Sequence, residues 1–182
     1  MSALGTLQAL YYCYAARPSS DRVLYQAIRR KRARSILELG VGTGRRAKRL
    51  IGMAQRHHAP EAVVYVGLDP FESRTSQDGP GTTLKIAYRT LRATGARVRL
   101  LPGEPLAVLA QAANTLGTVD LAVFSARLDP ALLAEAWFYV PRLLHPQSEL
   151  YVETELPDNR RAIRRLEPGE IAALAATRRR AA

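Results

Sequence analysis

A chain of 182 residues, 47% of them hydrophobic, has material for one sizeable core and falls within the usual size of a single domain. Its one cysteine, Cys13, excludes an internal disulfide and a cysteine-based metal cluster, which fits a reducing, cytoplasmic setting. No stretch reaches the roughly 20 uninterrupted apolar residues of a membrane span, and the formal charge of +11 is spread over several segments, which suits solvated helix faces better than a nucleic-acid stripe.

The opening run MSALGTLQALYYCYAA is apolar but has no basic start and meets tyrosines before any small-residue cleavage site, so it reads as mature chain. Tyr11, Tyr12 and Tyr14 are expected to pack in the core there. PSSDRVLYQAIRRKRARS reads as a helix that Ser19 or Ser20 caps. Val23, Leu24, Ala27 and Ile28 form its apolar face, and Arg29 to Arg32 lie where the dipole favours cations.

A short buried strand, SILEL, follows. Four more runs rich in branched or aromatic residues are expected to be strands: AVVYVGL (62–68), ARVRLL (96–101), VDLAVFS (119–125) and ELYVET (149–154). Helical patterns separate them, with faces built on Ala47, Leu50, Ile51 and Ala54, on Leu84, Ala87, Tyr88 and Leu91, and on Leu106, Leu109, Ala110 and Ala113. Gly95 and Gly117 stop the second and third of these. Asp129 and Pro130 open a last helix as cap and first residue, and Pro141 ends or kinks it.

Five strands alternating with helices predict an α/β, doubly wound, mainly parallel sheet with helices on both faces, whose ligand lies beyond the carboxyl ends of the strands. The long irregular stretch DPFESRTSQDGPGTT (69–83) falls on that side and reads as a flap.

Gly40, Gly42 and Gly44 fall on the turn from the first strand to the next helix, where absent side chains let a ligand approach free backbone N–H groups. The spacing is not the dinucleotide pattern, because Arg45 follows Gly44, and no G-K-[ST] makes it a P-loop. Instead, ILELGVGTG, with Glu38 leading the glycines, resembles the first motif of the class I methyltransferases that use S-adenosylmethionine (SAM). VYVGLDP agrees, since it puts Asp69 at the end of the second strand, where that family's acidic residue holds the ribose hydroxyls. VRLLPGEP is similar to the family's segment near the adenine amino group, with Glu104 as the acid.

The resemblance covers roughly Ser35 to Thr154 and implies a Rossmann-like methyltransferase sheet with SAM as cofactor. Glu38 and the backbone of Gly40, Gly42 and Gly44 would hold its methionine part and Asp69 its ribose; Glu104 would meet the adenine. Phe71 would pack on the adenine face or in the core, and Ser125 would complete the set.

The acceptor is less legible. LAVFSARLDP lacks the Asn or Asp, Pro-Pro, aromatic signature of amino-group methylation, and Ser125 stands where metal-dependent relatives have an aspartate, so neither a metal nor a catalytic residue is assigned. His57, His58 and His145 read as structural, Glu153 as a polar strand end, and Arg45 and Arg46 as solvent-facing.

The C-terminal PDNRRAIRRLEPGEIAALAATRRRAA looks helical, with Asp158 as a cap, so the sheet is expected to stop at five strands, short of the family's final antiparallel hairpin. The edge of strand five would then be open, which suggests a homodimer. The expected organisation is one domain over 1–182: an N-terminal helical segment (1–34), the SAM-binding core (35–154) and a helical basic tail (155–182). The function expected is methyl transfer to a small-molecule acceptor. A SAM-binding protein without catalysis, or an RNA-binding protein using RRKRAR and RRAKR, are the alternatives.

Overall fold

The computed structural model describes residues 5–125, 128, 130–157 and 160–179; the expected caps Asp129 and Asp158 lie outside them. In chain order the elements are α1 (Thr6–Tyr14), α2 (Arg22–Lys31), β1 (Ser35–Leu39), α3 (Arg45–Ala54), β2 (Val64–Asp69), α4 (Leu84–Arg92), β3 (Arg97–Pro102), α5 (Pro105–Ala112), β4 (Val119–Phe124), α6 (Pro130–Ala136), β5 (Leu144–Glu155), β6 (Arg161–Leu166) and α7 (Pro168–Arg179).

The sheet runs β3-β2-β1-β4-β5-β6. The first five strands are parallel, and β6 pairs antiparallel with β5 from Leu150↔Leu166 to Glu155↔Arg161. The doubly wound sheet is therefore as expected, but it has six strands rather than five, and the tail is a strand followed by a helix. The reason is local: Ala162, Ile163 and Leu166 find a partner strand rich in large side chains, and such context overrides the helical leaning of Ala and Arg. β6 also covers the edge on which the expectation of a dimer rested. Both outer strands now carry arginines, Arg97 and Arg99 on β3 and Arg161, Arg164 and Arg165 on β6, and charges on an edge discourage strand addition.

Alternation along the strands divides the core. Ile36, Tyr65, Leu121, Val123 and Tyr151 pack with Leu24, Ile28, Leu50, Ile51 and Leu91 from α2, α3 and α4. Leu37, Leu39, Val66, Leu68, Ala122, Phe124 and Leu150 face Leu106, Leu109, Trp137 and Leu166, with Ile171 of α7 against them. Each such large side chain stabilises the fold by about 1.5–3 kcal/mol.

The N-terminal segment departs from its sequence reading. Tyr12 packs on Tyr25 with ring centroids 5.6 Å apart, yet Tyr11 and Tyr14 are exposed, because only Ala9 and Cys13 of α1 are buried against the body. Ser19 and Ser20 do not cap α2; they belong to a 3-10 turn with Asp21, which immediately precedes the helix without a side-chain cap bond. No helix among the described residues is long and apolar enough to cross a membrane.

Candidate functional site

Strand order reverses between β1 and β4, so no crossover helix covers the carboxyl ends there. The two strand ends meet closely: the Ser125 N–H donates to the Leu39 carbonyl at 3.0 Å, and the Gly40 N–H to Leu68 at 2.8 Å. Gly40 has φ +87°, and a Cβ there would lie 2.6 Å from that of Ser125, so only glycine fits this crossing. Beyond it opens a cavity of about 740 Å³.

Sheet topology orders the cavity wall from side to side. Glu104 and Pro105 follow β3, Pro70 and Arg74 follow β2, Gly40, Val41, Gly42 and Thr43 follow β1, and Ser125 follows β4. Arg161 opens β6, opposite Glu155 at the carboxyl end of β5. Arg45, Arg46 and Arg49 project from the start of α3, while Pro18 and Asp21 come from the segment before α2.

Of the eight residues singled out in the sequence, Gly40, Gly42, Glu104 and Ser125 line this cavity. Glu104 also caps α5, accepting the Ala107 N–H at 2.6 Å. Gly44 is buried with φ +72° at the start of α3, and its N–H donates to Val41. Phe71 is buried in the core with the unusual φ of +49°, a conformation costing about 1–3 kcal/mol outside glycine.

Asp69 lies at the carboxyl end of β2 with no exposed side-chain surface. Its Oδ2 accepts the Gly42 N–H at 2.8 Å and its Oδ1 the Phe71 N–H at 2.8 Å. Arg74 adds a two-pronged ion pair, Nε to Oδ1 at 3.0 Å and Nη2 to Oδ2. The remaining nitrogen of Arg74 donates to the Asp78 carbonyl at 2.6 Å, and a Cβ at Gly81 would collide with the arginine. The expected flap is thus wrapped around one partly buried guanidinium, helped by a turn in which Thr75 and Asp78 cap each other.

Glu38 has a different neighbour from the one expected. Its carboxylate is fully buried and accepts the Arg46 Nε at 2.6 Å and the Tyr65 hydroxyl at 2.6 Å. Arg46 is not solvent-facing: its guanidinium also reaches Glu153 at 3.4 Å and Asp21 at 3.7 Å. The helical period contained the signal, since position 46 shares a face with Leu50 and Met53, both buried. Glu153, expected as a plain strand end, also takes Arg161 at 3.4 Å.

Burial pushes the Glu38 and Asp21 carboxyls above their ordinary range; Arg46 works against this in both, and for Asp21 the nearby Glu153 adds to the rise. Burial disfavours the Arg46 charge, but the three carboxylates outweigh it and hold the guanidinium more firmly protonated than usual.

The histidines lie away from the cavity. His145 opens β5 at the opposite end of the sheet and meets Asp120 at 3.1 Å, while His58 bonds the Arg32 carbonyl at 2.6 Å. Among the described residues no group of three potential ligands could hold a metal ion.

No protein-family model matches the sequence, and no curated protein does. Solved structures do resemble it. The O-methyltransferase TomG from Streptomyces achromogenes, in complex with SAM, superposes with a TM-score of 0.57 at 16% identity over 95% of this chain and 75% of its own. An O-methyltransferase from Bacillus cereus in complex with SAH gives 0.52 at 16% identity over 95% and 76%. Precorrin-6y C5,15-methyltransferase from Geobacter metallireducens gives 0.50 at 16% identity over 76% of this chain, which spans 63% of that protein. At such identities the likeness is one of fold: this is the mostly parallel, Rossmann-like sheet of the class I methyltransferases.

Proposed function

We propose that this chain, with its class I methyltransferase fold, binds SAM and transfers the methyl group to a small-molecule acceptor in the cytoplasm. One observation carries the reading. The Gly42 N–H donates to Asp69 at 2.8 Å, which joins the glycine loop and the acidic strand end into one cradle beside the cavity.

The residues present fit the cofactor. A cavity of about 740 Å³ is ample for a nucleoside bearing an amino-acid tail. Asp69 is the carboxylate for the ribose diol, which would take the place of Arg74 on its oxygens. Pro70, Pro105 and Leu128 offer apolar wall for the adenine beside Glu104, and the loop from Gly40 to Thr43 offers backbone to the methionine part. Ser125 packs against that loop at the reversal.

When bound, SAM supplies an electrophilic methyl group. The chain contributes position: transfer is an in-line displacement, for which holding donor and acceptor in register supplies much of the rate. Titration calorimetry with SAM, SAH and NAD tests the premise, with binding expected for the first two only. Binding of neither sulfur nucleoside would sink it.

A second reading, a SAM-binding protein without turnover, draws on the Arg74 pair, which competes for the ribose carboxylate. Labelled SAM that binds but is never consumed against a metabolite extract would favour it.

A further inference from the structure

We infer that the acceptor is a small molecule bearing a carboxylate or phosphate group, held at the β6 side of the cavity by Arg49 and Arg161. This rests on the reading above, in which the donor lies over β1, β2 and β3. The acceptor then has the opposite end, where Arg45, Arg46, Arg49 and Arg161 face Asp21.

Behind these arginines lie Glu38 and Glu153. Four guanidiniums stand against Asp21, Glu38, Glu153 and Glu155, the register partner of Arg161, so what distinguishes this end is depth rather than net charge. Asp21, Glu38 and Glu153 are 4%, 0% and 2% exposed, whereas the Arg161 side chain is 36% exposed and Arg45 is open to solvent. Arg46 is engaged by all three carboxylates. What an entering group meets is therefore a cationic wall.

Two arginines are set to bind rather than merely to be solvated. Arg49 donates one Nη to the Arg17 carbonyl at 2.9 Å, also hydrogen-bonds Tyr25 and lies over the Tyr12 ring, 5.3 Å from its centroid, which fixes the fork beside Asp21 with part of its five N–H groups left for a ligand. Arg161 meets Glu153 at 3.4 Å, longer than an optimal charge-assisted hydrogen bond, and its fork carries further N–H groups for an incoming oxyanion. A planar fork suits carboxylate and phosphate oxygens in pairs. The arginines gather around one concave pocket rather than along an extended stripe, which favours a small molecule over a nucleic-acid backbone.

The test titrates inorganic phosphate and benzoate into the full chain, with and without saturating SAH. Both probes are expected to bind, one preferred over the other telling phosphate from carboxylate. R49Q and R161Q should each weaken them about tenfold, the usual worth of one charge-assisted hydrogen bond, while R49K, which keeps the charge but not the fork, recovers only part of that loss and R89Q, on the far α4, changes nothing. SAH affinity should stay within about twofold in R161Q.

Probe affinity unchanged in R161Q and R49Q, or no probe binding to a chain that binds SAH, would overturn the inference. So would a single-stranded RNA that displaces phosphate and depends on Arg161, which would point to nucleic acid. If SAH fails to bind while the arginine dependence of phosphate holds, the cofactor reading falls and the anion site stands.

Discussion

Arg74 and Asp69 form a two-pronged ion pair in which the carboxylate has no exposed surface and already accepts two backbone N–H groups. A ribose diol and this guanidinium therefore compete for the same oxygens. In R74Q, SAH is expected to bind about tenfold more tightly by calorimetry, since the competitor is gone. The unliganded variant should also lose about 3–5 kcal/mol of stability, because one partner of a buried pair is left uncompensated. Weaker SAH binding in a folded R74Q would show that Arg74 holds the ligand instead.

Arg46 holds three carboxylates together, so R46M should destabilise the chain by about 3–5 kcal/mol at neutral pH in urea unfolding. The pH dependence has a definite sign. Asp21 and Glu38 have raised pKa values, so each contributes stability when protonated and loses it as pH rises through its folded value. Without the cation both rise further. The gap between R46M and the parent chain should accordingly narrow between neutral pH and about pH 5. A gap that widens on acidification would contradict the picture.

Glu149 behaves in the opposite way. Burial pushes its carboxyl up, but hydrogen bonds from Arg30, Tyr151 and Arg165 outweigh this and hold it below the ordinary 4.5. Its stabilisation is present above that value and is lost as pH falls through the lowered one. E149Q should cost about 1 kcal/mol at neutral pH, modest because Arg30 and Arg165 are solvent-screened. Thermal melts taken down to about pH 3 should converge for the two proteins.

Gly40 carries two separate constraints, a left-handed φ of +87° and the nearness of Ser125. G40A should lose about 2–4 kcal/mol from crowding and backbone strain combined. Adding S125G relieves the crowding alone, so the double variant should recover part of the loss by thermal denaturation and not all of it. Full recovery would mean that the backbone conformation is not the constraint described.

How far these features could be read beforehand depends on their range. The alternation of strands and helices, the glycine turn and the acid at Asp69 are local, and period and composition exposed them. β6 was hidden because RRAIRRL has no strong strand character of its own; its pairing with Leu150 to Glu155 decides its state. Arg46 looked like a surface residue because charge outweighed its position beside Leu50 and Met53 on the buried face. Arg74 had no local signature at all, since its role depends on how the 69–83 loop closes over Asp69. The cationic end of the cavity was invisible for the same reason: its arginines come from α3 and β6, which only the finished sheet brings together.

The contact between Arg46 and Glu153 spans 107 positions of sequence, and Asp21 and Arg161 join the same cluster from still further apart. Closing so long a loop is entropically unfavourable unless many other contacts hold it, so this pocket end depends on the whole sheet rather than on any one segment. The first four strands alone bring together the glycine turn, Asp69 and the arginines of α3, but not Arg161 or Glu153. Capacity to hold a donor thus rests on the first four strands, and capacity to hold its target on the last two as well.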